Sequence, residues 1–263
     1  MIKIACNYST ALINLLVSKQ TSVDYIKTGM YADFDKSYAA ARPLCPILLH
    51  GLGYFEHTGM KNIDSVDFKR ANNLIIKCGS PHYGLHLAIE NSDIAPDMDD
   101  DGIYSVMSNN IRTFKDNLSV PLLLENIPDS PQDRTVFNHY PYTDPERISG
   151  LILDNDVGLL LDLTHAKITA MYNSWGLRGY LQSLPLDRVR EIHINGSGYD
   201  ESGYPADTHQ AMEDEDYENL EWVLCHSRTQ IVTLEYDGVK SESEEAVSSK
   251  ILNQINKLRD ICK

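Results

Sequence analysis

Eight short apolar runs, each followed by a longer stretch of polar and helical character, constrain this chain more than any other feature. The runs span Ile2–Cys6, Val23–Lys27, Pro46–His50, Tyr83–Leu87, Pro121–Glu125, Val157–Asp162, Val189–Ile194 and Ile231–Glu235. Strands that alternate with helices pair in parallel, because the helix carries the chain back across the sheet before the next strand begins. Repeated around a closed sheet, the unit predicts a (β/α)₈ barrel. The chain has 263 residues, which suits one such barrel of about 250 residues. Residues 1–263 are therefore read as a single barrel domain.

The intervening stretches support helices. Asp67–Cys78 and Asp144–Asp156 are amphipathic, and in the second Asp144 is placed to cap a helix that starts at Pro145. Val247, Ile251, Ile255 and Leu258 recur at helical spacing within Ser243–Asp260, which would close the barrel as its last helix. The acidic run Asp97–Gly102 reads as a solvated loop, its spacing being wrong for an EF-hand. Two connections, Ile127–Thr143 and Asn195–Glu213, are long, and both follow strands, so they belong to the face where barrels carry their chemistry.

Composition narrows the function classes. The formal charge of −15 repels phosphate backbones and anionic lipid, so nucleic acid and membrane are not expected partners. No apolar run reaches the ~18 residues of a membrane span, and the N-terminus, MIKIACNYST, lacks the apolar region of a signal peptide. The five cysteines are scattered with no CxxC pair, which points to buried thiols in a reducing cytoplasm. Walker-type, GxSxG and dinucleotide fingerprints are absent; the GSG at Gly196–Gly198 stands alone.

The strand ends carry the chemistry. The third ends at His50, the fourth carries His86, the fifth ends at Glu125 and the sixth at Asp162, with His165 just beyond. The seventh carries His193, the loop after it holds Asp207 and His209, and the eighth ends at Glu235. In a closed parallel barrel these nine residues, five histidines and four carboxylates, converge on one mouth. So many carboxylates repel one another unless cations intervene. Imidazole with carboxylate suits iron, zinc or manganese, and nine ligands exceed the needs of one ion, so two or three ions with bridging carboxylates are expected. Asn126 is placed to orient a ligand or touch substrate, and Glu56 and His57 to line the mouth; Lys27 and Asp237 are read as solvated or supporting groups. His57, His82, His139 and His226 lie off the strand-end pattern and are read as surface or supporting residues.

The stretch NSWGLRGYLQSLPLDRVREIHINGSG (Asn173–Gly198), followed by DTH (Asp207–His209), resembles the multinuclear non-haem iron-dependent oxidative enzymes, which include the iron subunit of methanobactin biosynthesis. LLLENIP, GLHLA and GLLLDL resemble the same family, and the likeness runs from about Tyr83 to Asp237. The resemblance implies a xylose-isomerase-like barrel, two or three iron ions, and an O₂-dependent oxidation of a cysteine in a peptide or of a small thiol. It also implies a small partner protein that presents the peptide. On the matching positions it makes His50, His86, Glu125, Asp162, His193, Asp207, His209 and Glu235 iron ligands. The chain departs from the family where asparagines usually follow the sixth-strand aspartate; here Thr164 and His165 stand. Asp162 with His165, and Asp207 with His209, also resemble the trinuclear zinc site of apurinic endonucleases of the same barrel type. A zinc or manganese hydrolase, a sugar isomerase with Glu125 or Glu235 as base, and a non-catalytic binding module therefore remain alternatives.

Overall fold

The computed structural model describes residues 1–29, 34–51, 57–236, 238 and 242–263; Glu56 and Asp237 lie outside them. The barrel strands are β1 (Lys3–Asn7), β2 (Tyr25–Thr28), β3 (Ile47–His50), β4 (Tyr83–Leu87), β5 (Leu122–Asn126), β6 (Gly158–Asp162) and β7 (Val189–Ile194). A hairpin of β8 (Gly196–Tyr199) and β9 (Pro205–Gln210) follows, and β10 (Ile231–Leu234) completes the ring. The closed order is β1-β10-β7-β6-β5-β4-β3-β2, all parallel, as the sequence predicts; β4 and β7 have the expected bounds and the others shift by one or two residues.

The helices are α1 (Thr10–Val17), α2 (Phe34–Ala41), α3 (Phe68–Cys78), α4 (Asp100–Asn117), α5 (Pro145–Asp154), α6 (Leu163–Tyr172), α7 (Leu177–Gln182), α8 (Asp214–His226) and α9 (Glu244–Ile261). Local chemistry sets their ends. Asp67 caps α3, which stops at Gly79 in a left-handed conformation (φ 70°) that glycine adopts without a Cβ penalty. Asp144 caps α5 ahead of Pro145, and Ser243 caps α9. The acidic run is only partly a loop: Asp99 caps α4, and Asp100 and Asp101 form its first turn, where negative charge meets the positive end of the helix dipole.

Outward strand residues and the helices share the main apolar core, with Leu85, Leu124, Leu161 and Ile192 fully enclosed. Inside the barrel a small apolar plug forms from Ala5, Tyr25, Leu48 and Ile231, and Leu123 and Leu160 are buried on the same inward face. Beyond them the inward positions turn polar and lead to the mouth.

Candidate metal centre

Side chains two apart on a strand share a face, so the inward face that starts in the plug ends in donors at the mouth. Register sets His86 opposite Glu125, and Asp162 opposite His193. Gly84 makes room for this row: a Cβ there would come within 2.5 Å of His50 Cδ2.

Glu125 is the hub. Its Oε2 lies 2.5 Å from His50 Nε2 and 3.7 Å from His86 Nε2. Its Oε1 lies 3.2 Å from His193 Nδ1 and 3.7 Å from His165 Nδ1. Glu235 Oε1 stands 3.4 Å from the same His193 nitrogen. Two donor groups result, each with its ligand atoms within 4.8 Å of one another: His50, His86 and Glu125, then Glu125, Asp162, His193 and Glu235.

The remaining predicted residues extend the row from above. Asp207 and His209 sit on β9, in a hairpin rather than the loop expected from the sequence, whose segments here are polar and half-exposed. Asp207 Oδ2 is 3.1 Å from both His165 Nε2 and His209 Nε2, and Asn195 donates to its other oxygen at 2.6 Å. His209 holds a positive φ of 48°. A non-glycine residue pays roughly 1–3 kcal/mol for a sparsely populated backbone and keeps it only where its surroundings dictate. All nine predicted residues therefore meet in one connected cluster. Its floor is buried, while the side chains of His86 and His209 at the rim are 40% and 38% exposed.

Several partners were not legible in the sequence. Of the two roles left open for Lys27 the structure has the supporting one: it points inward, pairs with Glu235, and lies 3.3 Å from His193 Nδ1. Glu191, two residues before His193 on the same inward face, receives His193 Nε2 at 3.2 Å, His82 Nε2 at 2.5 Å and the Thr233 hydroxyl at 2.5 Å. The alternation in EIHIN carries the signal for Glu191; His82, left open as a surface or supporting residue, is buried in the supporting role, and nothing local marks its partner. His57 is likewise buried. Asn126 ties β5 to β6, donating to the Asp162 carbonyl and accepting its N–H, both at 3.0 Å. Asp162 Oδ1 caps α6 through the His165 N–H at 2.7 Å, leaving Oδ2 to face the cluster.

The electrostatics are those of a crowded acid–imidazole site. Burial, with Glu235, Asp207 and Glu125 close by, lifts the Asp162 carboxyl to about 7 against the pull of His165. Burial would depress His193, yet Glu235 and Glu125 raise it to about 10. Burial would depress His209, yet the Asp207 hydrogen bond and the charges of Glu235 and Asp207 together raise it to about 9. Burial opposes ionisation of Glu235, but His193 and Lys27 hold its carboxyl at about 2. Protons and one lysine thus balance the carboxylates.

The donor set fits metal. His50 Nε2, Glu125 Oε2 and Asp162 Oδ2 are buried atoms without a directed hydrogen bond, the first two close together but off axis. Imidazole and carboxylate atoms left open toward one another suit iron, zinc or manganese.

The chain is an eight-stranded parallel barrel of the xylose-isomerase-like kind, with a histidine–carboxylate cluster at its mouth that could hold metal. The chain belongs to the family described as RiPP precursor modification enzyme MbnB/TglH/ChrH, whose profile matches residues 21–260. It is 28% identical over 167 residues to a UPF0276 protein of Paraburkholderia phytofirmans, covering 61% of this chain and 53% of the relative. A UPF0276 protein of Acaryochloris marina is 27% identical over 172 residues, covering 62% and 59%. The matched part spans little more than half the length of these relatives. Among solved structures, a putative xylose isomerase from Rhodospirillum rubrum superposes with a TM-score of 0.69 at 14% identity, covering 99% of each chain. The IOLI protein with a bound zinc atom gives 0.68 at 15%, covering 99% and 98%. Endonuclease IV from Thermus thermophilus gives 0.59 at 14%, covering 98% and 99%. These three likenesses establish the fold.

Proposed function

We propose that this chain carries out an O₂-dependent oxidation of a cysteine in a peptide, or of a small thiol, at a centre of two or three iron ions. The ligands are His50, His86, Glu125, Asp162, His165, His193, Asp207, His209 and Glu235. The observation that carries the reading is Glu125, whose two oxygens face different donor groups, as a bridging carboxylate must. The peptide-modifying family supplies the substrate class.

Iron, when bound, supplies O₂ activation and a site for a thiolate, a soft ligand. The chain's own residues do the rest. His50, Glu125, Asp162 and His193 form a dry floor that fixes ligand geometry. His86 and His209, at the open rim, face the side from which a peptide arrives. Lys27 keeps Glu235 ionised in the buried floor. A small partner that presents the peptide accords with the open rim. A cytoplasmic setting accords with the five cysteines, none of which joins a disulfide. Among the described residues no helix is long and apolar enough to cross a membrane.

The test is anaerobic purification followed by elemental analysis, a visible spectrum before and after air, and incubation with a cysteine-containing peptide. Two or three irons per chain and thiol loss only with O₂ are expected. Zinc or manganese, an unchanged spectrum and turnover under anoxia would overturn the reading and favour a hydrolase or isomerase on the same barrel.

A further inference from the structure

Beside the barrel mouth lies a second, smaller donor group: His57, Glu90 and Asp93, with ligand atoms within 4.8 Å of one another and no residue shared with the main cluster. His57 pairs its backbone with His86 in a parallel bridge, yet its ring turns the other way, toward the short helical turn Asn91–Asp93. Hydrogen bonds hold residues 57–60: Thr58 N–H donates to His86 O at 3.1 Å, and Asn110 Nδ2 donates to the Thr58 and Met60 carbonyls at 2.8 and 3.0 Å.

His57 is 3% exposed, and its Nε2 stands 3.5 Å from Glu90 Oε1 and 3.5 Å from Asp93 Oδ2. An imidazolium would close on one carboxylate at about 2.7–2.9 Å; equal, longer separations instead leave a gap. In a tetrahedral zinc site with bonds of 2.0–2.1 Å, neighbouring ligand atoms lie about 3.3–3.4 Å apart. The far atom of each ligand is already oriented, as metal ligands require. Gly59 N–H is shared between the Ala88 carbonyl at 2.8 Å and His57 Nδ1 at 3.2 Å, and Nδ1 lies 3.1 Å from that carbonyl, so the backbone engages Nδ1 and Nε2 faces the two carboxylates. Ser92 Oγ donates to Glu90 Oε2 at 3.1 Å, and Lys61 N–H to Asp93 Oδ1 at 3.3 Å. Among the described residues neither carboxylate has a Lys or Arg ion partner.

We propose that His57 Nε2, Glu90 Oε1 and Asp93 Oδ2 bind one divalent transition-metal ion of the zinc class, with a fourth position open to solvent. The ion ties the segment after β3 to the turn after β4, directly beside His86. This site does not depend on the oxidative reading.

The full chain, stripped with a chelator and reloaded with zinc alone, tests it. Elemental analysis after desalting should give one zinc fewer per chain in E90Q/D93N than in wild type, while competition with a chromophoric chelator leaves the other ions at their wild-type affinity. Equal zinc content in both proteins overturns the site. If the double variant does not fold, D93N alone should weaken one zinc by at least tenfold; unchanged affinity for every ion overturns the site equally.

Discussion

Glu125 Oε1 lies 3.2 Å from His193 Nδ1, while the ring's other nitrogen is held at 3.2 Å by Glu191. His193 is thereby fixed from both sides, with one nitrogen for the centre and one for the barrel interior. The tautomer that serves this arrangement puts the proton on Nε2 and leaves Nδ1 as the ligand.

Because Glu125 faces both donor groups, E125Q should lose more than one ion. An amide offers one acceptor oxygen where the carboxylate offers two. Elemental analysis of the variant should show a loss larger than that in D207N, whose carboxylate meets the upper histidines and Asn195 rather than Glu125. A loss of one ion or none would show that Glu125 does not bridge.

Lys27 competes with a cation for Glu235 and His193. K27M removes the competitor and leaves buried carboxylates uncompensated, so the metal-free variant should melt lower than wild type. Metal should then raise its melting temperature by more than it raises that of wild type, since the rise follows affinity for the folded state. An equal or smaller rise would mean that Lys27 supports the ions rather than opposing them.

E191Q should weaken metal binding by roughly 10–100-fold, the usual cost of removing a ligand's outer partner. The readout is chelator competition. Rescue by E191D, and unchanged affinity in a surface control such as E221Q, would separate orientation of His193 from general loss of stability.

Metal binding should release protons. His193 and His209, raised to about 10 and 9, are cationic at neutral pH before a metal arrives and must deprotonate to bind it. Affinity should therefore climb as pH rises from about 6.5 to 10, and calorimetry in buffers of different ionisation enthalpy should show net proton release. The metal-free protein should behave oppositely. A folded pKa raised above the unfolded 6.5 gives stability that is full below 6.5 and lost as pH climbs through 9 and 10. Asp162, lifted to about 7, acts in the same direction at lower pH, because its ionisation is harder in the folded state.

Most of the fold and the core of the centre were legible because both rest on short-range pattern. Apolar runs mark strands, and the residue that closes each run inherits its place at the mouth from the topology. The hairpin of β8 and β9 escaped because its segments, GSGY and PADTHQ, are half-exposed and carry no apolar alternation. His82 escaped for another reason. Its partner Glu191 is 109 positions away, and only barrel closure brings the two together. For Lys27 a solvated and a supporting role stayed open, because lysine is usually exposed; the choice between them depends on Glu235 from the opposite end of the chain.

His82 precedes β4 and so belongs to the end of the barrel remote from the mouth. In this architecture one end ordinarily carries stability and the other chemistry, which lets loops diversify over an indifferent scaffold. Here the line from His82 through Glu191 to His193 crosses that boundary. A substitution at His82 or Glu191 would thus reach the mouth through His193, so base and mouth of this barrel cannot vary independently.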